Sequence, residues 1–206
     1  MGYVRLKPRR WPAERDNEEE LENQRNNFKK DIVILKKDDK VDIWFCDESG
    51  FEGDPRPRRV IARKGEKPLH QYTGSHIRAS VTGAVRAKDG KFVSLIFPYV
   101  DGKLFQLFIS ELNRHIDKTH RNILVLDNAS WHKNMDWGVL EPKNMPSYSP
   151  FLNPIEELWL SIKNEFFSWF WAKDYDELDN QVEMAVKHFM GRKEVVRSIC
   201  SMRTFG

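Results

Sequence analysis

The sequence has few cysteines, no internal repeat and no long apolar run, and each absence excludes a class of protein. Cys46 and Cys200 are its two cysteines, which excludes a disulfide-rich fold, and neither has zinc-site spacing to a further cysteine or histidine. Apolar stretches such as residues 93–100 are far shorter than the roughly 20 residues of a membrane helix. Residues 1–12 lack the apolar segment of a secretory signal. We therefore expect a cytoplasmic protein of one or two domains.

Charge is nearly balanced, but the basic residues are clustered. The net charge is +3. One basic cluster occupies residues 5–10, and a second follows between residues 56 and 67, where Glu66 is the single acid. Such clusters suit contacts with DNA phosphates, although solvated loops are the alternative. The candidate DNA-binding residues are Arg56, Arg58, Arg59, Arg63, Lys64 and Lys67.

Hydrophobic patterning predicts helices that alternate with strands. The hairpin is indicated by Asp89-Gly90, because both residues tolerate a positive φ. The first helix has a sparse apolar stripe of Leu21, Phe28, Ile32 and Ile34, so we expect it on the surface. Asn153 and Asp174 are the predicted caps of the last two helices. The expected elements are strands 41–49 and 123–127, hairpin 78–97, and helices 13–37, 104–116, 153–171 and 174–190.

The order of these elements brings two acids together. After the first strand, a hairpin and a helical crossover leave the strand at 123–127 parallel to it. These two strands carry Asp47 and Asp127 near their ends. If the strands are neighbours, the two acids lie side by side, because adjacent strands are about 4.8 Å apart. Taken alone, Asp127 followed by Asn128 at the end of a strand is more typical of a turn than of a catalytic site.

A third acid, Glu156, stands near the start of the helix at 153–171. At about 100° per residue it lies at the edge of the apolar stripe and can face the two aspartates, whereas Glu157 faces water. The alternative is a capping box, since Glu156 follows Asn153 by three residues. In residues 166–171, FFSWFW, helical spacing favours core packing over base stacking.

Three carboxylates in one place must hold protons or cations. Two unit charges 4 Å apart repel by about 4 kcal/mol at an effective dielectric constant of 20. Ligands that are all oxygen favour Mg²⁺ or Mn²⁺. Two such ions are a known arrangement for in-line displacement at phosphorus, one activating the attacking water or 3′-hydroxyl and one stabilising the leaving oxygen.

Three blocks of sequence resemble the mariner-like DDE transposases, in their insertion-sequence-630 branch. They are WFCDESGFEGDPRPRR, VLDNASWHK and PSYSPFLNPIEELW, at residues 44–59, 125–133 and 146–159. The resemblance covers about residues 8–190, and its most specific part is the pattern YSPxxNPIExLW. It implies an α/β, RNase H-like mixed sheet, with three antiparallel strands and then a parallel strand, flanked by helices. It also implies DNA strand cleavage and transfer in cut-and-paste transposition.

The same resemblance assigns residues and partners. Asp47, Asp127 and Glu156 correspond to the catalytic acids that bind two Mg²⁺ or Mn²⁺ ions. Asn128 and His132 belong to the second block and would support the site, although a structural histidine is an equal alternative. The implied partners are transposon ends, a TA target and a second copy in a homodimer. The implied location is the nucleoid of a prokaryotic cytoplasm.

Two departures from the family bear on function. Between Asp127 and Glu156 lie 28 residues, fewer than the family usually has, and residues 135–144 resemble a shortened connection. We interpret residues 1–38 as a basic arm and linker helix after a missing helix-turn-helix region, and residues 39–206 as the catalytic domain. A separately encoded or frameshift-fused helix-turn-helix part is therefore an expected partner. The alternatives are a nuclease or resolvase that cuts without joining, and a decayed fragment that only binds DNA or an intact transposase.

Overall fold

The computed structural model describes residues 18–54, 61–66, 68–69, 74, 76–129, 135–201 and 205. Its strands are β1 (Val41–Glu52), β2 (Arg78–Arg86), β3 (Lys91–Phe97), β4 (Arg121–Leu126) and β5 (Leu140–Asn144). Its α-helices are α1 (Glu18–Leu35), α2 (Gly102–His115), α3 (Ile155–Phe166), α4 (Tyr175–Met190) and α5 (Lys193–Ile199), and a 3-10 turn covers Pro150–Leu152.

The five strands form one mixed sheet in the order β3-β2-β1-β4-β5. The pairs β1–β2 and β2–β3 are antiparallel, whereas β1–β4 and β4–β5 are parallel. The predicted mixed sheet and the parallel pairing of the strands at 41 and 123 are therefore confirmed. Strand β5 was not predicted, because its sequence LEPKN contains a proline and three polar residues. It is tolerated at the sheet edge, where only one side needs a hydrogen-bonded partner.

Helices cover both faces of the sheet. Of the described helices, α2 alone packs on one face, where its Phe105, Phe108 and Leu112 join Trp44 of β1 in a buried cluster. The other four helices pack on the opposite face. Because side chains alternate along a strand, Asp47 has the same orientation as Phe45 and points toward the face that carries α3, whereas Glu48 points to the other.

The predicted turn and one of the two predicted caps are present. Gly90 has a φ of 73° and donates its amide hydrogen to the carbonyl of Arg86, which closes the β2–β3 hairpin. Asp174 caps α4 by accepting a hydrogen bond from the amide of Glu177 at 2.9 Å. At α3 the cap position falls on Pro154, one residue later than predicted, and Asn153 Oδ1 accepts a hydrogen bond from the Ile155 amide at 3.4 Å.

Four features of the helices differ from the predictions. Ile34 of α1 is 64% exposed rather than part of the packed stripe. Helix α5 was not predicted. Helix α3 ends at Phe166 rather than at residue 171 because Phe167 turns inward, with its ring 4.9 Å from that of Phe51. The chain then returns to the end of β1, and Trp169, predicted to be buried, is 53% exposed.

Among the described residues, no helix combines the length and the apolar composition that crossing a membrane requires. The division of the chain after residue 38 stays a prediction. Phe28 and Ile32 of α1 belong to the core cluster that also contains Phe45 of β1. The first described helix therefore packs directly on the sheet.

Candidate active site

Asp47 lies within β1, and Asp127 is the first residue after β4, the parallel strand next to β1. The register of β1 and β4 pairs Phe45 with Val125. The same offset, continued two residues further, places Asp47 opposite Asp127. The side chain of Asp127 also forms a turn, since its Oδ1 accepts a hydrogen bond from the amide of Ala129 at 3.0 Å. The turn uses one carboxylate oxygen and is compatible with a second role for the other.

Glu156 reaches the same region because Asn153 fixes the start of α3 against β1. Asn153 is buried, and its Nδ2 donates a hydrogen bond to the carbonyl of Cys46 at 3.0 Å. The backbone amide of Asn153 donates to the carbonyl of Pro150 at 2.8 Å. A capping box would need that amide hydrogen for Glu156. The capping interpretation is therefore not supported, and the Glu156 side chain lines the cleft described next.

The three acids line one cleft of about 480 Å³ beside the middle of β1 and the end of β4. Strand β1 does not end near Asp47 as predicted, because its pairing with β2 continues to Glu52. Its other walls come from Asn128 and Ala129 after β4, from the 145–150 segment after β5, and from Asn153. Glu157 lies outside this lining, as predicted. None of the described lining residues is Lys or Arg, so the charge of the cleft wall is negative.

Asp47 is held by an indole that lies in a space left by a glycine. Trp159 Nε1 donates a hydrogen bond to Asp47 Oδ2 at 3.2 Å. The Trp159 ring packs edge-on against Phe92, with ring centroids 5.7 Å apart. Gly83 is the β2 partner of Asp47, and a Cβ there would lie 2.8 Å from the Trp159 ring and 2.8 Å from that of Phe92. A residue without a side chain at position 83 therefore allows the indole to reach the carboxylate.

The environment of the cleft favours the protonated forms of Asp47 and Glu156. Burial raises the pKa of Asp47 from 3.8 to about 8, and the charges of Glu156, Glu48 and Asp127 add to the shift. Burial also raises the pKa of Glu156, and the charge of Glu157 acts in the same direction, whereas Lys163 opposes it. Near neutral pH the wall therefore retains a proton that a cation can displace.

The donor set fits a hard divalent cation. Asp47, Asp127 and Glu156 offer carboxylate oxygens, the ligand type that Mg²⁺ and Mn²⁺ prefer. In the part of the chain that the structure describes, no three His, Cys, Asp or Glu side chains are already gathered around one ion position. The acids thus share a cleft without forming a closed ligand shell, and a bound ion would have to draw them together.

The structure places the remaining predicted site residues only in part. Asn128 lines the cleft, and its Nδ2 donates to the carbonyl of Met145 at 3.1 Å, a contact that fixes the two segments beyond β4 and β5. Arg63 and Lys64 are exposed in a short turn and do not line the cleft. Five further candidates lie outside the described residues, namely Arg56, Arg58, Arg59, Lys67 and His132.

Sequence reasoning did not assign Trp159, Asn153 or Gly83 to the site. Helical spacing within 153–171 places Trp159 in the apolar stripe, and Asn153 is predicted as the cap of that helix. The sequence contains a signal for Asn153 and Trp159, because both lie in the block PSYSPFLNPIEELW that also contains Glu156. The contribution of Gly83 depends on the pairing of β1 with β2 and gives no local signal in the sequence.

Comparison with known proteins agrees with this geometry. A family described as DDE superfamily endonuclease matches residues 42–179. An uncharacterized protein of Sinorhizobium fredii, y4pE/y4sA, is 34% identical over 105 residues, which are 48% of this chain and 76% of that protein.

Solved structures of the Mos1 mariner transposase share the fold. Its paired-end complex with Mn superposes with a TM-score of 0.65 at 16% identity, over 100% of this chain and 68% of the Mos1 chain. Its catalytic domain superposes with a TM-score of 0.58 at 14% identity, over 95% of this chain and 98% of that domain. The agreement over nearly the whole catalytic domain confirms the predicted RNase H-like fold.

Proposed function

The chain belongs to the DDE superfamily endonucleases, and we propose that it is the catalytic part of a DNA transposase that cleaves and joins phosphodiesters with two divalent cations. One observation carries the proposal. Asp47 of β1, Asp127 after β4 and Glu156 of α3 line a single cleft although they are far apart in the sequence. Their convergence is what a metal-dependent phosphoryl transfer needs.

In this proposal Asp47, Asp127 and Glu156 hold the cations. The bound Mg²⁺ or Mn²⁺ ions would supply positive charge to the attacking water or 3′-hydroxyl and to the leaving oxygen. Asp47 would give up its retained proton to solvent on binding a cation. Trp159 holds Oδ2 in place through its N–H group. Asn153 fixes the position of Glu156 by its bond to the Cys46 carbonyl.

We also infer that DNA is the partner of this cleft. Mos1, which shares the fold, has been solved as a complex with a transposon end and as a strand transfer complex. Transposon ends, a TA target, homodimer formation and a helix-turn-helix part supplied by another segment remain part of the proposal. The exposed Arg63 and Lys64 are its described candidates for backbone contacts away from the cleft.

Nicking of supercoiled plasmid DNA tests the proposal. We expect the purified chain to convert the plasmid to its open form with Mn²⁺ or Mg²⁺ and to be inactive with EDTA. Asp127→Ala should abolish nicking, and Asp127→Asn should do the same although it keeps the oxygen that accepts from Ala129. Equal activity in either variant would refute the assignment of Asp127.

A matched control separates the turn from the chemistry. Asp136 is exposed like Asp127, and its Oδ1 likewise accepts a hydrogen bond from the amide two residues later in the chain, that of Gly138, at 3.1 Å. Asp136 does not line the cleft. Asp136→Ala should therefore nick at the wild-type rate.

The family description favours a second candidate function, an endonuclease that cuts without joining. Joining of a pre-cut DNA end that carries a 3′-hydroxyl to a plasmid distinguishes the two. Joined products support the transposase, whereas nicking without joined products supports the nuclease. A chain that binds DNA and never cuts it would be the non-catalytic fragment.

A further inference from the structure

Tyr148 has an unusual backbone in the wall of the cleft. Its φ is 54°, and among the residues that the structure describes it is the one non-glycine residue with a positive φ. This left-handed region is unfavourable for a bulky L-amino acid, because the Cβ approaches the backbone. Such a conformation persists only where surrounding contacts impose it, and it occurs most often at functional sites.

The contacts that impose it come from α1. Arg25 donates from Nη2 to the carbonyl of Tyr148 at 3.1 Å and from Nε to the hydroxyl of Ser149 at 2.9 Å. The hydroxyl of Ser149 in turn donates to the carbonyl of Ser147 at 3.0 Å. The guanidinium also lies 5.4 Å from the centre of the Phe151 ring. Both sides of Tyr148 are thus anchored, and its conformation is not a local preference of the loop.

The anchored Tyr148 lines the cleft, and its side chain is left exposed instead of buried. Tyr148 is 52% exposed, whereas the neighbouring Ser149 is 3% exposed. Of the described residues that line the cleft, Tyr148 is the only aromatic one. The tyrosine ring therefore gains little from burial to offset its unfavourable backbone, and contact with a ligand in the cleft explains why it is placed there.

The charge of the cleft indicates which part of DNA such a ring contacts. Its described wall carries three acids and no Lys or Arg, so it offers no cationic side chain to a phosphate. An aromatic ring can instead stack on a nucleobase, and that contact does not depend on charge.

We propose that Tyr148 is a DNA-binding residue whose ring stacks on a nucleobase flanking the phosphate at the carboxylates. This inference rests on the proposed function, since it takes DNA as the ligand of the cleft. Arg25 is then a positioning residue, because it acts through the backbone of Tyr148 and not on the DNA.

Binding of a fluorescent oligonucleotide tests the proposal. The probe is a duplex with a short 3′ overhang that contains 2-aminopurine, in buffer with Ca²⁺ as an oxygen-ligated cation. We expect the wild-type protein and Tyr148→Phe to quench the fluorescence with dissociation constants within about twofold of each other, because both keep the ring. Tyr148→Gly and Tyr148→Asn, which tolerate a positive φ, should bind roughly 5- to 150-fold more weakly. Tyr99→Gly is the matched control, since Tyr99 is 60% exposed and lies outside the cleft lining.

Two further measurements separate this proposal from a structural role and from the proposed function. Tyr148→Gly and Tyr148→Asn should keep the Mn²⁺ affinity of the wild type, and their thermal midpoints should be unchanged or higher because the unfavourable φ is relieved. Wild-type DNA affinity in both variants would overturn the proposal, as would an equal loss in Tyr148→Phe or in Tyr99→Gly. If the wild type binds the probe through Tyr148 but never nicks DNA, the proposed function fails and the stacking contact stands.

Discussion

Replacing Asp47 by asparagine should stabilise the protein when divalent cations are absent. In the folded state the pKa of Asp47 is raised to about 8, from 3.8 for an ordinary aspartate. Between these two pH values the folded state retains a proton that the unfolded chain has already released. The free energy of unfolding of the wild type therefore falls as pH rises from about 4 to about 8. Asparagine has no proton to lose and can still accept the hydrogen bond from Trp159.

The magnitude follows from the pKa shift. A shift of one pKa unit corresponds to about 1.4 kcal/mol. The shift of Asp47 from 3.8 to about 8 therefore lowers the free energy of unfolding by at most roughly 6 kcal/mol. Asp47 is only partly buried, and solvent screening lowers that bound. At pH 8 we expect the free energy of unfolding of Asp47→Asn to exceed that of the wild type by about 2 to 3 kcal/mol. For a chain of this size, this corresponds to a thermal midpoint roughly 4 to 12 °C higher.

Urea unfolding in EDTA at pH 5 and pH 8 measures this effect. The free energy of unfolding of Asp47→Asn should exceed that of the wild type by more at pH 8 than at pH 5. Glu141→Gln is a control for which the opposite effect on stability is expected. The hydrogen bond and charge of Arg121 lower the pKa of Glu141, so removing the Glu141 charge should slightly destabilise the protein. A pH-independent difference, or an Asp47→Asn variant that is less stable at pH 8, would refute the reasoning.

Three further substitutions test the contacts around Asp47 and Glu156. Trp159→Phe removes the N–H donor to Asp47 and should lower Mn²⁺ affinity roughly 10- to 100-fold in a titration followed by electron paramagnetic resonance; unchanged affinity would exclude a positioning role. Gly83→Ala brings a Cβ to 2.8 Å from two aromatic rings. It should cost about 1 to 3 kcal/mol in urea unfolding, and wild-type stability would contradict the close packing. Asn153→Ala leaves the buried carbonyl of Cys46 without its amide donor and should cost about 1 to 3 kcal/mol, measured in the same way; no loss would mean that this bond does not fix α3.

The parts of the fold that sequence predicts well are those with strong local signals. The β2–β3 hairpin follows from Asp89-Gly90, and α4 from its cap Asp174. The parallel pairing of β1 and β4 follows from counting strand directions. That pairing is the step that brings Asp47 and Asp127 together, so the central pair of acids was predictable from the chain.

The remainder depends on tertiary contacts that leave no local pattern. Strand β5 has a sequence typical of a loop and forms only because β4 provides a partner. Apolar residues continue at helical spacing up to residue 170, but helix α3 ends sooner because Phe167 packs on Phe51. The positive φ of Tyr148 has no signal in its own residue type and depends on Arg25, more than 100 residues away in the sequence.

The positions of bound Mn²⁺ ions would show whether Asp47, Asp127 and Glu156 form the metal site. Crystals grown with Mn²⁺ and measured at the manganese absorption edge would show where the ions bind by anomalous scattering. We expect two peaks in the cleft, roughly 3.5 to 4 Å apart, each coordinated by carboxylate oxygens of Asp47, Asp127 or Glu156. An empty cleft at saturating Mn²⁺, or ions bound only by other acids of the protein, would contradict this expectation.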